Sequence, residues 1–278
     1  MDSIFYFSSW TYYLIEALIT SILVILLSAN RTVSYYFRYS VYVLGVPLVS
    51  LMLIPVFLLR PKNIVNLKIA AVVLKNMTKI IGIEWKLING EILAKERGAI
   101  VVANHQSVLD ILGLWNIWEV MDRCTVVSKK TLFYVPFFGQ AAWLAGLIFI
   151  DRDRPKQAYE IIKQQSALIH EQKTKIWFYP EGTRNKKAET LLPFKKGAFR
   201  MAIECKAPII PVIYSPYYFI DGEKKIFENG KMTISVLEPI QVHNYTMANI
   251  DELITRTYDI MNTEYNRLKT AVCKHNLK

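Results

Sequence analysis

The stretch Ala99–Val120, AIVVANHQSVLDILGLWNIWEV, decides how the rest of the chain is read. Ala99–Ala103 is an apolar run of strand length, rich in β-branched residues. Asn104, His105, Gln106 and Ser107 then interrupt it, and Val108–Val120 continues as a helical stretch. Strand, polar corner and helix together form the repeating unit of an α/β sheet. The alternation extends along the chain from Glu84. Further short apolar runs fall at Cys124–Val127, Gly146–Ile150, Lys175–Phe178, Ile209–Tyr214 and Met232–Leu237. Helical stretches fall between and after them, at Pro155–Glu171, Phe194–Cys205 and Ile250–Lys269. The predicted fold is an α/β domain with a mixed β-sheet flanked by helices.

Upstream of that domain the chain is far more apolar. Tyr12–Ala29 carries only Glu16 as a charge, and Tyr39–Leu59 carries none. Each approaches the roughly 20 residues that cross a hydrocarbon core. Trp10, Tyr12, Tyr13, Tyr35, Tyr36 and Tyr39 lie near the span ends, where an aromatic belt is expected. No Lys or Arg precedes the first run, which argues against a cleaved signal peptide. Pro47 and Pro55 predict a kinked or partly re-entrant second helix. The expected organisation is an α-helical membrane hairpin over residues 1–62 and a catalytic domain over 63–278. The connector carries Arg31 and Arg38, while Arg60, Lys62, Lys68, Lys75 and Lys79 follow the second span, a bias that favours a cytosolic domain. Lys68, Lys75 and Lys79 share a helical face, which reads as an interfacial helix on the membrane or as an ordinary surface helix. Leu132–Ile150 has no charge and span length, but Pro136, Gly139 and Gly146 break it. The expectation there is an apolar helix dipping into the membrane surface, followed by a strand.

The formal net charge of +11 points to an anionic partner. Zinc-ligand spacing, basic-region heptads and an aromatic-rich RNA signature are all absent, so nucleic acid is the weakest choice and anionic lipid fits better. Cys124, Cys205 and Cys273 are scattered and unclustered with histidine, which predicts reduced thiols facing the cytosol and no metal site.

Two constellations carry chemistry. In the first, His105 and Asp110 are five residues apart, about 140° around a helix, and could not share a face if both were helical. With Ser107 as N-cap, Asp110 falls at the third helical position and His105 lies outside the helix, able to fold back over its first turn. Asp110 could then hold one ring nitrogen and free the other as a general base. Ser107-Val108-Leu109-Asp110 is equally a capping box, in which Asp110 only caps. The second constellation, Phe178-Tyr179-Pro180-Glu181-Gly182-Thr183-Arg184, has the Pro and Gly spacing of a type I turn at a strand end. It offers Arg184 and main-chain N–H groups to a phosphate, or is simply a surface turn.

Read together, these blocks resemble the lysophosphatidic acid acyltransferases within the glycerolipid acyltransferase superfamily. That family carries Asn-His-x4-Asp and Phe-Pro-Glu-Gly-Thr-Arg blocks in this order. The similarity extends to Ser128-Lys129-Lys130-Thr131-Leu132, Gly146–Arg152, Leu192–Phe199 and the Pro-centred run Ile209–Ile213, spanning roughly Glu84 to Pro216. Tyr179, Asn185 and Tyr214 depart from the usual Phe, Ser and Pro.

The resemblance implies transfer of an acyl group from acyl-CoA, a co-substrate, to the sn-2 hydroxyl of lysophosphatidic acid, with no cofactor. It implies His105 as general base held by Asp110, and Arg184 and Lys129 on the acceptor phosphate. Glu181, Gly182 and Thr183 match positions near the acceptor, and Glu181 is expected to orient Arg184 or the glycerol. It also implies an endoplasmic reticulum membrane enzyme. Another phosphate-bearing or lysolipid acceptor, or an inactive lipid-binding relative, are the alternatives. Lys195 and Lys196 could face CoA phosphates or be a solvated helix start. His170, His243 and His275 read as surface residues, and Phe199 and Met201 as core.

Overall fold

The computed structural model describes residues 10–19, 30–151, 154, 160–161, 164–187 and 189–276. Residues 10–19 are helical (α1), and the remainder of the first apolar span lies outside the described residues. Helix α2, Arg31–Leu58, runs unbroken through Pro47 and Pro55. It starts eight residues before the charge-free run, because the Asn30 side chain accepts from Thr32 N (3.0 Å) and Val33 N (3.2 Å). A cap, rather than hydropathy, sets that start. Among the described residues α2 alone is long and apolar enough to cross a membrane. Its outer face exposes Leu44, Leu48, Met52 and Leu58, while Val46, Ser50 and Phe57 are buried.

Two short helices follow, α3 (Val65–Leu74) and α4 (Met77–Ile81). The domain then runs β1 (Ile83–Ile88), α5 (Glu91–Ala94), β2 (Ala99–Ala103), α6 (Asp110–Met121), β3 (Cys124–Lys129), a 3-10 turn (Lys130–Tyr134), α7 (Phe138–Leu144) and β4 (Ile148–Ile150). After it come α8 (Ser166–His170), β5 (Lys175–Phe178), α9 (Gly197–Glu204), β6 (Ile209–Tyr214), the hairpin β7 (Ile220–Asp221) and β8 (Ile226–Phe227), β9 (Gly230–Val236) and α10 (Ile250–Asn276). The predicted helix Pro155–Glu171 falls mostly outside the described residues.

Seven strands form one mixed sheet in the order β1-β9-β6-β2-β5-β3-β4. Neighbours are parallel except β6 and β9. Strand β2 is central and fully buried, and its side chains alternate between two cores. Ala99, Val101 and Ala103 join the core under α2, α4 and α6, whereas Ile100 and Val102 join the core under α9 and α10. Ile100, Val101 and Val102 are fully shielded, worth about 1.5–3 kcal/mol each. Because β2, β3, β5 and β6 are parallel, the segments that follow them emerge at one edge, where α/β sheets bind ligands.

Two stretches for which the sequence left alternatives open each take one of them. Lys68 and Lys75 stand on a helix surface and are paired there: Lys68 Nζ lies 2.6 Å from Asp122 Oδ1, and Lys75 pairs with Glu119. Both partners sit at the end of α6, and the helix breaks before Met77, leaving Lys79 exposed on α4. Leu132–Ile150 divides, as expected, into a helix followed by a strand, here a 3-10 turn, α7 and β4, with Tyr134, Phe137 and Trp143 outward and Ala141, Ala142 and Leu144 inward.

Candidate active site

The corner after β2 is held from three sides. Asn104 is buried and bridges to β6, its Nδ2 donating to Tyr214 O (3.1 Å) and its Oδ1 accepting from Tyr214 N (2.8 Å). Gln106 Nε2 donates to Ser215 O at 3.0 Å. His105 is fixed through its main chain, with N donating to Glu181 Oε1 (2.8 Å) and O accepting from Asn185 N (2.7 Å). The imidazole is thus set by the loop after β5 before its own ring makes any contact.

His105 Nδ1 lies 2.7 Å from Asp110 Oδ2. The same oxygen accepts from Gln106 N (2.7 Å) and Ser107 N (3.0 Å), and Oδ1 accepts from Tyr217 Oη (2.9 Å). A fully buried carboxylate surrounded by donors leaves Nδ1 as the N–H donor and Nε2 as the free base. The ring stacks on Tyr179, centroids 4.2 Å apart and planes 23° apart, which removes its rotational freedom. Helix α6 begins at Asp110 itself, not two residues earlier at Val108, because Ser107 Oγ accepts from Leu109 N in a local turn. Asp110 therefore both covers the N–H groups before the helix and holds the imidazole.

Glu181 departs from its expected role. Both carboxyl oxygens go to main-chain donors, His105 N and Leu192 N (3.1 Å), so it braces two loops rather than Arg184. Burial pushes its pKa from the ordinary 4.5 up to about 7, although the two N–H donors pull against that shift. A raised carboxyl pKa stabilises the fold below the unfolded value and loses that contribution as pH climbs through about 7; the full shift corresponds to about 3 kcal/mol. Glu181→Gln cannot accept with its amide nitrogen, so a Tm deficit worth about 1–3 kcal/mol is expected at pH 5. That deficit should shrink by pH 8, where the wild type has lost its own advantage. Equal deficits at both pH values in thermal melts would remove Glu181 from this account.

Gly182 adopts φ +69°, and a Cβ there would meet Lys195 Cε at 2.9 Å, so the Lys195 stem lies across the turn. Thr183 and Arg184 are exposed beyond it. Arg184 lines a cavity of about 380 Å³ with Gln106, Ser107, Tyr217, and Tyr35 and Tyr39 of α2. Lys129 ends β3 at the same sheet edge, exposed but outside that lining, two strands and roughly 10 Å from β2. A larger cavity, about 470 Å³, lies at the opposite end of β4; Lys62 is its one charged lining residue, and it offers no catalytic pair.

An acyltransferase family model matches residues 85–215. The 1-acyl-sn-glycerol-3-phosphate acyltransferase alpha of Mus musculus is 30% identical over 243 residues, 87% of this chain and 84% of its own length. The human beta enzyme is 31% identical and covers 88% of both chains. The chain belongs to the 1-acyl-sn-glycerol-3-phosphate acyltransferase family. A yeast member is 38% identical over 66% of this chain. The crystal structure of PlsC from Thermotoga maritima, a 1-acyl-sn-glycerophosphate acyltransferase, matches with a TM-score of 0.61 at 22% identity, over 86% of this chain and 95% of that one, which supports the fold.

The structure gives bracing roles to residues to which the sequence assigned none. Tyr217, Asn104, Gln106 and Asn185 carry no charge pattern, and Tyr217 joins Asp110 only because β6 ends beside β2. Asn104 was the one with a signal, a polar residue closing a wholly apolar strand. Cys124 and Cys205 are buried, Cys273 is exposed, and all three are free thiols.

Proposed function

We propose that this acyltransferase moves an acyl group from acyl-CoA to the sn-2 hydroxyl of 1-acylglycerol-3-phosphate at a membrane surface. The observation that carries the reading is the His105–Asp110 pair, whose chain neighbours Gln106 and Ser107 line a cavity together with Arg184. Nε2 takes the proton of the acceptor hydroxyl as its oxygen attacks the thioester carbon. The imidazolium so formed is stabilised by Asp110 and then protonates the departing CoA thiolate. The acceptor hydroxyl is the nucleophile, so no acyl-enzyme bond forms. Arg184 suits bidentate grip of a phosphate monoester, and Lys129 can extend a point charge from two strands away. Tyr35 and Tyr39 bring the apolar helix α2 to the cavity wall, which supports entry of a lipid acceptor from the bilayer. The basic residues after α2 favour a cytosol-facing domain, and the endoplasmic reticulum membrane is proposed from the family resemblance alone.

The test is an activity matrix of acyl-CoA against lysophospholipids, run on wild type and Arg184→Ala. The variant should raise the acceptor KM about 100-fold, the loss of a charge-assisted bidentate contact, while the acyl-CoA KM stays within about twofold. Arg184→Lys should recover part of the loss. A wild-type preference for a choline headgroup would overturn the phosphate reading.

A further inference from the structure

We propose that Tyr217 is a positioning residue for the acyl transfer, acting through Asp110 to set the orientation and charge of the carboxylate that holds His105; this rests on the His105–Asp110 reading above. Asp110 Oδ1 accepts from Tyr217 Oη at 2.9 Å, while Oδ2 takes His105 Nδ1 and two main-chain N–H groups. The carboxylate is fully buried, so Tyr217 supplies the donor to Oδ1 where water is excluded. Without it the carboxylate could rotate about its last torsion and exchange the oxygen that faces the imidazole.

The tyrosine is itself held. It follows Pro216 at the end of β6, whose Tyr214 is locked to Asn104 at the end of β2. Its ring packs edge-on against Phe219, centroids 5.8 Å apart, and Phe219 packs against Phe227 on β8. Burial and the nearby Asp110 charge push the phenol well above its ordinary range, so it stays a neutral donor at working pH.

A neutral donor draws charge from a carboxylate, and this weakens the hold of that carboxylate on the imidazolium. Removing the hydroxyl therefore has two consequences. Orientation is loosened, which lowers kcat, and the imidazolium is bound more tightly, which raises the apparent pKa of the base. Other groups near the dyad are Glu181, Tyr179 and Arg184 from the loop after β5, Tyr214 from β6, and Tyr42 from α2. Tyr217→Phe leaves all of these in place.

The experiment uses the full chain in detergent, with kcat and KM followed from pH 5 to 9 for wild type, Tyr217→Phe, Asp110→Asn and the double variant. Tyr217→Phe is expected to lower kcat about 10-fold, to keep the acceptor KM within twofold, and to move the acid limb of the kcat profile up by about 0.5–1 unit. In the Asp110→Asn background the same change should lower kcat less than twofold, since the partner charge is gone. An unmoved acid limb, an effect confined to KM, or losses that multiply in the double variant would each overturn the proposal. If Asp110→Asn alone keeps full activity, the dyad reading fails first, so the two failures are distinguishable. Tyr217→Phe is isosteric but for one oxygen, and an unchanged Tm separates positioning from unfolding.

Discussion

His105→Ala is expected to lower kcat by about 10²–10⁴-fold without loss of the folded state. The magnitude follows from the role of a positioned general base, which no neighbouring group can assume. Glu181 points its oxygens at main-chain N–H groups, and Asp110 is enclosed by its own donors. The persistence of the fold follows from where His105 is held. Its main-chain bonds to Glu181 and Asn185 survive truncation at Cβ. Asp110 keeps Gln106 N, Ser107 N and Tyr217 Oη, so the buried carboxylate is not left bare. The imidazole is about a quarter exposed, so the space it leaves opens to solvent rather than making a sealed void. Thioester loss from acyl-CoA, measured beside a thermal melt and a membrane-flotation assay, reads all three quantities. Turnover above about a tenth of wild type in a well-folded variant would exclude His105 from the proton transfer.

The sequence made some parts of this arrangement plain and concealed others, for identifiable reasons. Ala99–Ala103, Lys175–Phe178 and Ile209–Tyr214 were readable to the residue, because central parallel strands are apolar on both faces and end at polar corners. Strand β1 was missed because it lies at the sheet margin, where Glu84 and Lys86 alternate with apolar residues and leave no continuous apolar run. The start of α2 was hidden by Arg31 and Arg38, which hydropathy counts as loop; Arg38 instead bonds Ile81 O at 2.5 Å. Lys68 and Lys75 gave a helical face but not their partners, which come from the end of α6, more than forty residues away. The same limit governs the site. His105, Asp110 and Arg184 stand in recognisable blocks, but Tyr217 and the bracing role of Glu181 depend on which strand ends meet, and spacing along the chain does not carry that.

Replacing Asp110 distinguishes the two roles that its position in the sequence left open. As a cap, the side chain accepts from Gln106 N and Ser107 N and places a negative charge at the first turn of α6. As a catalytic partner, it accepts from His105 Nδ1 and supports the imidazolium. Asp110→Asn separates these functions, because an amide oxygen can accept from the same main-chain N–H groups without carrying the charge. With its amide oxygen in the place of Oδ2, the variant still accepts all three N–H donors, and its amide nitrogen can donate to Tyr217 Oη. The tautomer and the fold are retained while the charge is lost. The expected result is a kcat reduced by about 10²-fold or more with Tm within a few degrees of wild type, as the imidazolium forms without its counter-charge. Asp110→Ala should be as inactive and also unstable, since Gln106 N, Ser107 N and Tyr217 Oη would be buried without partners at about 1–3 kcal/mol each. Activity near wild type in the asparagine variant would mean that the carboxylate only caps the helix. A large loss of kcat with an unchanged melt would mean that the same carboxylate, already committed to starting α6, also carries the charge on which proton transfer depends.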